Sequence, residues 1–314
     1  MEWSKHKSNW PMAEYSRFVP CKPHRWHVQE AGQGPLLLLL HGAGGGTQSW
    51  RNLFPLLIQS NRVICIDLPG QGFTKMGSNR RCGLDEMAED VLALCYDQSW
   101  VPDMIVGHSA GAAIGLRMAE MMQSKVPRVV GINAALGNFN GLAGVVFPII
   151  AKTLAMVPFV ADIFKASATR PKSVERLIEG TGSYLPTEEL RWYRALVGSR
   201  DHVNGTLQMM AQWTLDDLLK RLPENTANTI LIAATGDKAV PYTTSKACAE
   251  KMPNGIYHEV RDLGHLIHEE DALMISDMIH SFLASNPETN EMGHVSNAAF
   301  SGSDKPVKTK QGDL

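Results

Sequence analysis

The 314-residue sequence lacks long runs of lysine or arginine, and its formal net charge of −2 and pI near 6.6 leave no electrostatic footprint for nucleic acid. That class of partner is excluded. Cysteine is sparse: the five at positions 21, 65, 82, 95 and 248 have no metal-ligand spacing. Their odd number rules out a complete intrachain disulfide framework, so a reducing cytoplasm is the expected compartment. The polar start, Met1 to Lys7, is not followed by an apolar segment of signal-peptide type, so secretion is not expected. The glycine-rich stretch Gly42–Gly46 lacks the Lys-Ser or Lys-Thr of a phosphate-cradling loop. Nothing in the chain calls for a cofactor or a metal. The stretch 286–314 is polar and poor in bulky apolar residues, which predicts a flexible tail.

What is present is apolar. A hydrophobic content of 44% is enough for a large core, and the length fits one elaborated α/β domain. The most informative stretch is Gly107-His108-Ser109-Ala110-Gly111, between the apolar run Met104–Val106 and the helix-forming run Ala112–Met122. A serine on a sharp strand-to-helix turn needs small residues two positions away on either side, because larger ones would strike the neighbouring strand and helix. The context predicts a nucleophile elbow. An aspartate there would have indicated dehalogenase chemistry; a serine does not. His108, beside the elbow, reads as a packing or hydrogen-bonding residue.

A serine hydroxyl is a weak nucleophile at neutral pH, so it needs a base, an acid to orient that base, and donors for a developing oxyanion. The strand-like run Thr229–Ala234 is followed by a turn holding Asp237, and the run Tyr257–Val260 by a loop holding His265. Serine, acid and histidine then follow in the order this architecture uses. Asp262 competes for the acid role through its nearness to His265 in sequence, but the position after a late strand favours Asp237. The oxyanion donors expected are the amides of Ala110, after the nucleophile, and Ala43, in the loop that follows Leu36–Leu40. Gly44 is the alternative for the second. His268 and Glu269 have one metal-like spacing and no further ligands, and they read instead as the start of a helix running to Ala284. His24 and His27 alternate along a first strand, which places one of them in solvent.

Apolar runs at 25–29, 36–40, 63–66, 104–106, 129–133, 230–234 and 256–260 alternate with helical segments, including 84–98 and 243–252. This pattern predicts a largely parallel sheet covered by helices on both faces. The expected organisation is an N-terminal extension at 1–24, a core at 25–136 and 223–285, and an inserted helical lid at 137–222. Lid residues 142–161 are unusually apolar, but Lys152 and two prolines interrupt them, so a spanning helix is not expected. The segment reads as the wall of an apolar substrate pocket, with Phe147, Phe159, Met209 and Trp213 as lining, or as a face in peripheral contact with a membrane. Ordinary packing of lid on core, with the methionines as gap fillers, is the plain alternative.

From Trp26 to Phe282 the chain resembles the α/β-hydrolase-fold superfamily, through Leu40–Gly44, Asp67–Gly72, Gly107–Gly111, Gly236–Pro241 and Gly264-His265 in order. Within it, Ser16–Val19, Arg25–Gln29, Gly107–Ile114, Asn133–Leu136, Gly141–Gly144 and Glu179–Ser183 are similar to the magnesium-chelatase accessory hydrolases of bacteriochlorophyll synthesis. The resemblance implies a photosynthetic bacterium and a role beside magnesium insertion, with magnesium chelatase as a partner. The reading that follows is a Ser109–Asp237–His265 serine hydrolase acting on an ester of a hydrophobic small molecule, a porphyrin or an isoprenoid. Its rivals are a non-catalytic tetrapyrrole-binding accessory protein and an enzyme of the same fold with haloperoxidase-like or carbon–carbon bond hydrolase chemistry.

Overall fold

The computed structural model describes residues 1–122, 125–137 and 172–285. Strands β1 (Ser16–Cys21), β2 (His24–Ala31), β3 (Leu36–Leu40), β4 (Arg62–Ile66), β5 (Met104–His108), β6 (Arg128–Ile132), β7 (Thr229–Ala234) and β8 (Gly255–Val260) form one sheet in the order 1-2-4-3-5-6-7-8. Only the β1–β2 and β2–β4 pairs are antiparallel. Parallel strands need crossovers, and α2 (Leu84–Asp97), α3 (Ala110–Met121) and α8 (Tyr242–Ala249) supply them. A short α1 (Phe54–Leu57) lies before β4, and α9 (Ile267–Glu270) and α10 (Ala272–Ala284) close the described chain. Between β6 and β7 the described residues form α4 (Ser173–Glu179), α5 (Leu190–Val197), α6 (Arg200–Gln212) and α7 (Asp216–Arg221).

Successive residues of a strand point to opposite faces, so a strand covered on both sides reads as a continuous apolar run. The five leucines of β3 are all buried. Leu36, Leu38 and Leu40 join Ile64, Ile105 and Leu231 against α2 and α3, whereas Leu37 and Leu39 join Val63, Val106 and Ile232 against α1 and α10.

Three local expectations change. Residues 16–21, read as extension, form the edge strand β1; its run Ser16-Arg17-Phe18-Val19-Pro20-Cys21 is too polar to announce a buried strand. The helix expected from Glu270 to Ala284 is divided at Asp271, whose φ of −141° and ψ of 75° are not helical. His24 and His27 are both buried, because each meets a carboxylate: His24 Nε2 lies 2.9 Å from Asp90 and His27 Nδ1 2.7 Å from Asp67. A buried partner substitutes for water, so alternation alone could not put either ring in solvent.

Candidate active site

The carboxyl ends of parallel strands form one rim of the sheet, and residues distant in sequence meet there. Ser109 sits between β5 and α3 at φ 51°, ψ −116°. Positive φ is strained for a residue with a side chain and persists only where surroundings enforce it. They do so here: the Ser109 amide donates to Ile132 O at 2.9 Å, and its carbonyl accepts from Ala112 and Ala135, both at 3.1 Å. Thus β6 and the turn after it hold the elbow. The side chain of Ser109 faces the loop after β3, where a Cβ built on Gly42 would be 3.0 Å from Ser109 Cβ.

The turn after β7 aims Asp237. Its Oδ1 accepts from the amides of Ala239 (2.7 Å) and Val240 (2.9 Å), and its Oδ2 lies 2.7 Å from His265 Nδ1. The Asp237 side chain is wholly buried, while that of His265 keeps 11% of its surface exposed. A carboxylate so placed fixes the proton on Nδ1 and leaves Nε2 as the basic edge. Asp262, the competing acid, is exposed, and its amide donates to Thr235 Oγ1.

Two further residues place His265 beside the elbow, and motif reading gives neither this task. The His108 ring lies 4.7 Å from that of His265, and its Nε2 donates to the His265 carbonyl at 2.9 Å. Burial, reinforced by His268 and His265, holds the His108 pKa well below the usual histidine value, so it stays neutral with its proton on Nε2. Asn133 Nδ2 donates to the same carbonyl at 2.8 Å and to Gly264 O at 3.0 Å, while Asn133 Oδ1 accepts from Ala234. Asn133 lies at φ 44°, a region that asparagine tolerates better than most residues. Among the described residues, Ser109 Oγ and His265 Nε2 have no hydrogen-bond partner, as is common when a substrate is needed to tighten the site.

The loop after β3 is held by the loop after β4 and by α6. Gly44 N donates to Gln71 Oε1 at 2.7 Å, which occupies the amide considered as alternative oxyanion donor. Ala43 is exposed and its amide has no acceptor among the described residues. Ala110 opens α3, where first-turn amides lack intrahelical acceptors. On α6, His202 Nε2 donates to Gly44 O at 3.2 Å and Nδ1 accepts from Gly72 N at 3.0 Å.

Burial pushes the His202 pKa down to about 3. The unfolded chain therefore binds this proton first as pH falls, so stability is complete above the ordinary histidine value and is lost between there and about 3. Across that window this residue contributes a slope of up to about 1.4 kcal/mol per pH unit. Urea unfolding at about pH 7 and about pH 5 should show the loss, and His202→Asn should flatten the slope. An unchanged slope would remove this histidine from the acid response.

Two of the four expected pocket residues fall within the described part of the chain. Phe147 and Phe159 lie outside the described residues. Met209 is 1% exposed on the inner side of α6, with Gln71 Nε2 3.2 Å from its sulfur, and Trp213 is half-buried against the same core cluster. His268 and Glu269 do fall on a helix, α9. Glu269 is buried between Arg51 and the Tyr193 hydroxyl, an ion network invisible in sequence because its members lie on α5, α9 and the loop before α1. Burial raises the Glu269 pKa above the usual carboxylate value. Among the described residues, no group of three or more histidine, cysteine or acidic side chains could hold a metal ion. Nor is any helix of these residues long and apolar enough to cross a membrane.

An eight-stranded, mostly parallel sheet with a strained serine elbow on its carboxyl rim is the architecture of the α/β hydrolases. The chain belongs to that family: a model of the alpha/beta hydrolase fold matches residues 35–272. More particularly, it is 41% identical over 278 residues to the magnesium-chelatase 30 kDa subunit of Rhodobacter capsulatus, covering 88% of this chain and 97% of that one. It is also 23% identical to 2-hydroxymuconate semialdehyde hydrolase of Pseudomonas sp. (strain CF600), over 86% of this chain and 94% of that protein. An esterase structure from Exiguobacterium antarcticum superposes with a TM-score of 0.70 at 16% identity, covering 85% of this chain and 99% of that one. At that identity the likeness speaks for the fold alone.

Proposed function

We propose that the protein is a serine hydrolase that cleaves an ester or related acyl bond of a hydrophobic substrate. The observation that carries this reading is the buried Asp237–His265 pair, 2.7 Å apart, on the same rim as Ser109. In this scheme Ser109 Oγ attacks the acyl carbon and passes its proton to His265 Nε2, while Asp237 stabilises the imidazolium formed. The Ala43 and Ala110 amides receive the oxyanion. Collapse of the tetrahedral intermediate expels the alcohol, which takes the proton from His265, and leaves an acyl group on Ser109. A water molecule, deprotonated by His265, then attacks the acyl carbon; the bond to Ser109 Oγ breaks, Oγ takes the proton back from His265, and the acid is released. Each oxyanion donor contributes roughly 3 to 4 kcal/mol of barrier lowering in enzymes of this kind.

Residues 25–136 and 223–285 serve as the hydrolase core in this reading, 137–222 as a lid, and 286–314 as a tail. Phe147, Phe159, Met209 and Trp213 are proposed as pocket lining. Similarity to a magnesium-chelatase subunit supports a porphyrin or isoprenoid ester as substrate, with action in the cytoplasm beside the chelatase, and it leaves room for lid contact with a membrane surface. That similarity also supports a second reading, a tetrapyrrole-binding accessory protein with an idle triad, because the relative is named for a complex and not for a reaction.

Labelling with a fluorophosphonate separates the two. Wild type should be modified at Ser109, as located by mass spectrometry, and Ser109→Ala and His265→Ala should not react. A folded wild type that stays unlabelled, with the probe shown to enter the pocket, would move the assignment to the binding role.

A further inference from the structure

The segment Glu179–Ser183, which begins on the last residue of α4, does more than connect helices. Thr181 O accepts from two amides at once, Lys238 N at 3.0 Å and His265 N at 3.4 Å. The first adjoins Asp237 and the second belongs to the histidine itself. Gly182 lies flat against the acid loop at φ 88°, where a Cβ would overlap the carbonyl oxygen of Gly236. Ser183 Oγ, wholly buried, accepts from Leu266 N at 2.7 Å and donates to Glu270 Oε2 at 3.1 Å. Glu270 completes the join, since Oε2 also accepts from Gly264 N at 2.9 Å and Oε1 from Tyr184 N at 3.0 Å.

We infer that Thr181–Tyr184 and Glu270 form a strap by which the root of the inserted helices sets the mutual placement of the Asp237 and His265 loops. The inference rests on the hydrolase reading and extends it: Ser183 and Glu270 are positioning residues that act through the acid–base pair. The physical reason is the length of the two loops. Asp237 and His265 follow different strands, whose pairing ends at Ala234 and Val260 with one further bond from Thr235 N to Val260 O at 2.8 Å. Beyond those residues the direct backbone link between the two loops is Gly236 N to Leu263 O at 3.0 Å. The strap adds contacts to both loops on the side away from the sheet, so displacement of the inserted segment is felt at the Asp237–His265 bond. Misplacing a reacting group by about 1 Å costs on the order of 100-fold in rate, which sets the scale of the effect.

The test is the second-order rate of fluorophosphonate labelling of Ser109 across pH, in wild type, Glu270→Ala, Glu270→Gln and Ser183→Ala. Glu270→Ala should slow labelling about 10- to 100-fold and move the midpoint of its pH profile. Glu270→Gln keeps an acceptor oxygen for Gly264 N and should restore most of the rate. Ser183→Ala, a small change, should shift the midpoint in the same direction and decides the matter if Glu270→Ala does not fold. Unchanged midpoints and rates in the folded variants would overturn the strap while leaving the hydrolase reading intact. An unlabelled wild type would instead strike the hydrolase reading itself.

Discussion

Asp237→Asn is expected to lower kcat about 10,000-fold with little change in folding, the loss seen when the same substitution is made in other triads. The reason lies in the two oxygens. In the variant Oδ1 still accepts from Ala239 and Val240, whose amides can bond only to an oxygen. The new NH2 is therefore forced toward His265 Nδ1, which must become an acceptor and send its proton to Nε2. The ring then presents an N–H to Ser109 where a base is needed. Hydrolysis of a chromogenic ester alongside thermal melting checks both halves of the expectation. Turnover near the wild-type level would mean that Asp237 only shapes its turn.

Gly111→Ala should cost several kcal/mol of stability, although helix propensity alone would favour alanine by about 1 kcal/mol. Gly111 is the second residue of α3, and a Cβ there would overlap the carbonyl oxygen of Leu40 and press on that of His41. The helix must retreat from β3 or the loop carrying Ala43 must move, and close packing transmits either shift to Ser109. Denaturant unfolding should show a lowered midpoint, and the residual folded protein should label slowly with fluorophosphonate. A midpoint at or above that of wild type would show that the elbow relaxes without strain.

Much of this was legible in the sequence because the signals are local. The runs Leu36–Leu40 and Met104–Val106 each carry a strand's apolar pattern, and the elbow needs its small neighbours for steric reasons confined to a few residues. Asp237 and His265 were legible from position, each in the first loop after a late strand. His24 and His27 were not, since the carboxylates that bury them come from Asp90 and Asp67, far along the chain. Edge strand β1 escaped notice because a strand that pairs on one side only needs less apolar character than a central one.

By itself, then, the sequence determined the class of fold and pointed to the elbow and to candidate residues for a triad, with Asp262 competing with Asp237 for the acid, because periodicity and turn chemistry act over distances of a few residues. Only the tertiary structure decided which acid meets His265, that Gln71 occupies the Gly44 amide, that His108 and Asn133 share one carbonyl, and that the strap at Thr181–Tyr184 joins both loops. Each of these is a hydrogen bond between residues tens of positions apart, and its existence depends on how strands and helices pack, which no local pattern encodes.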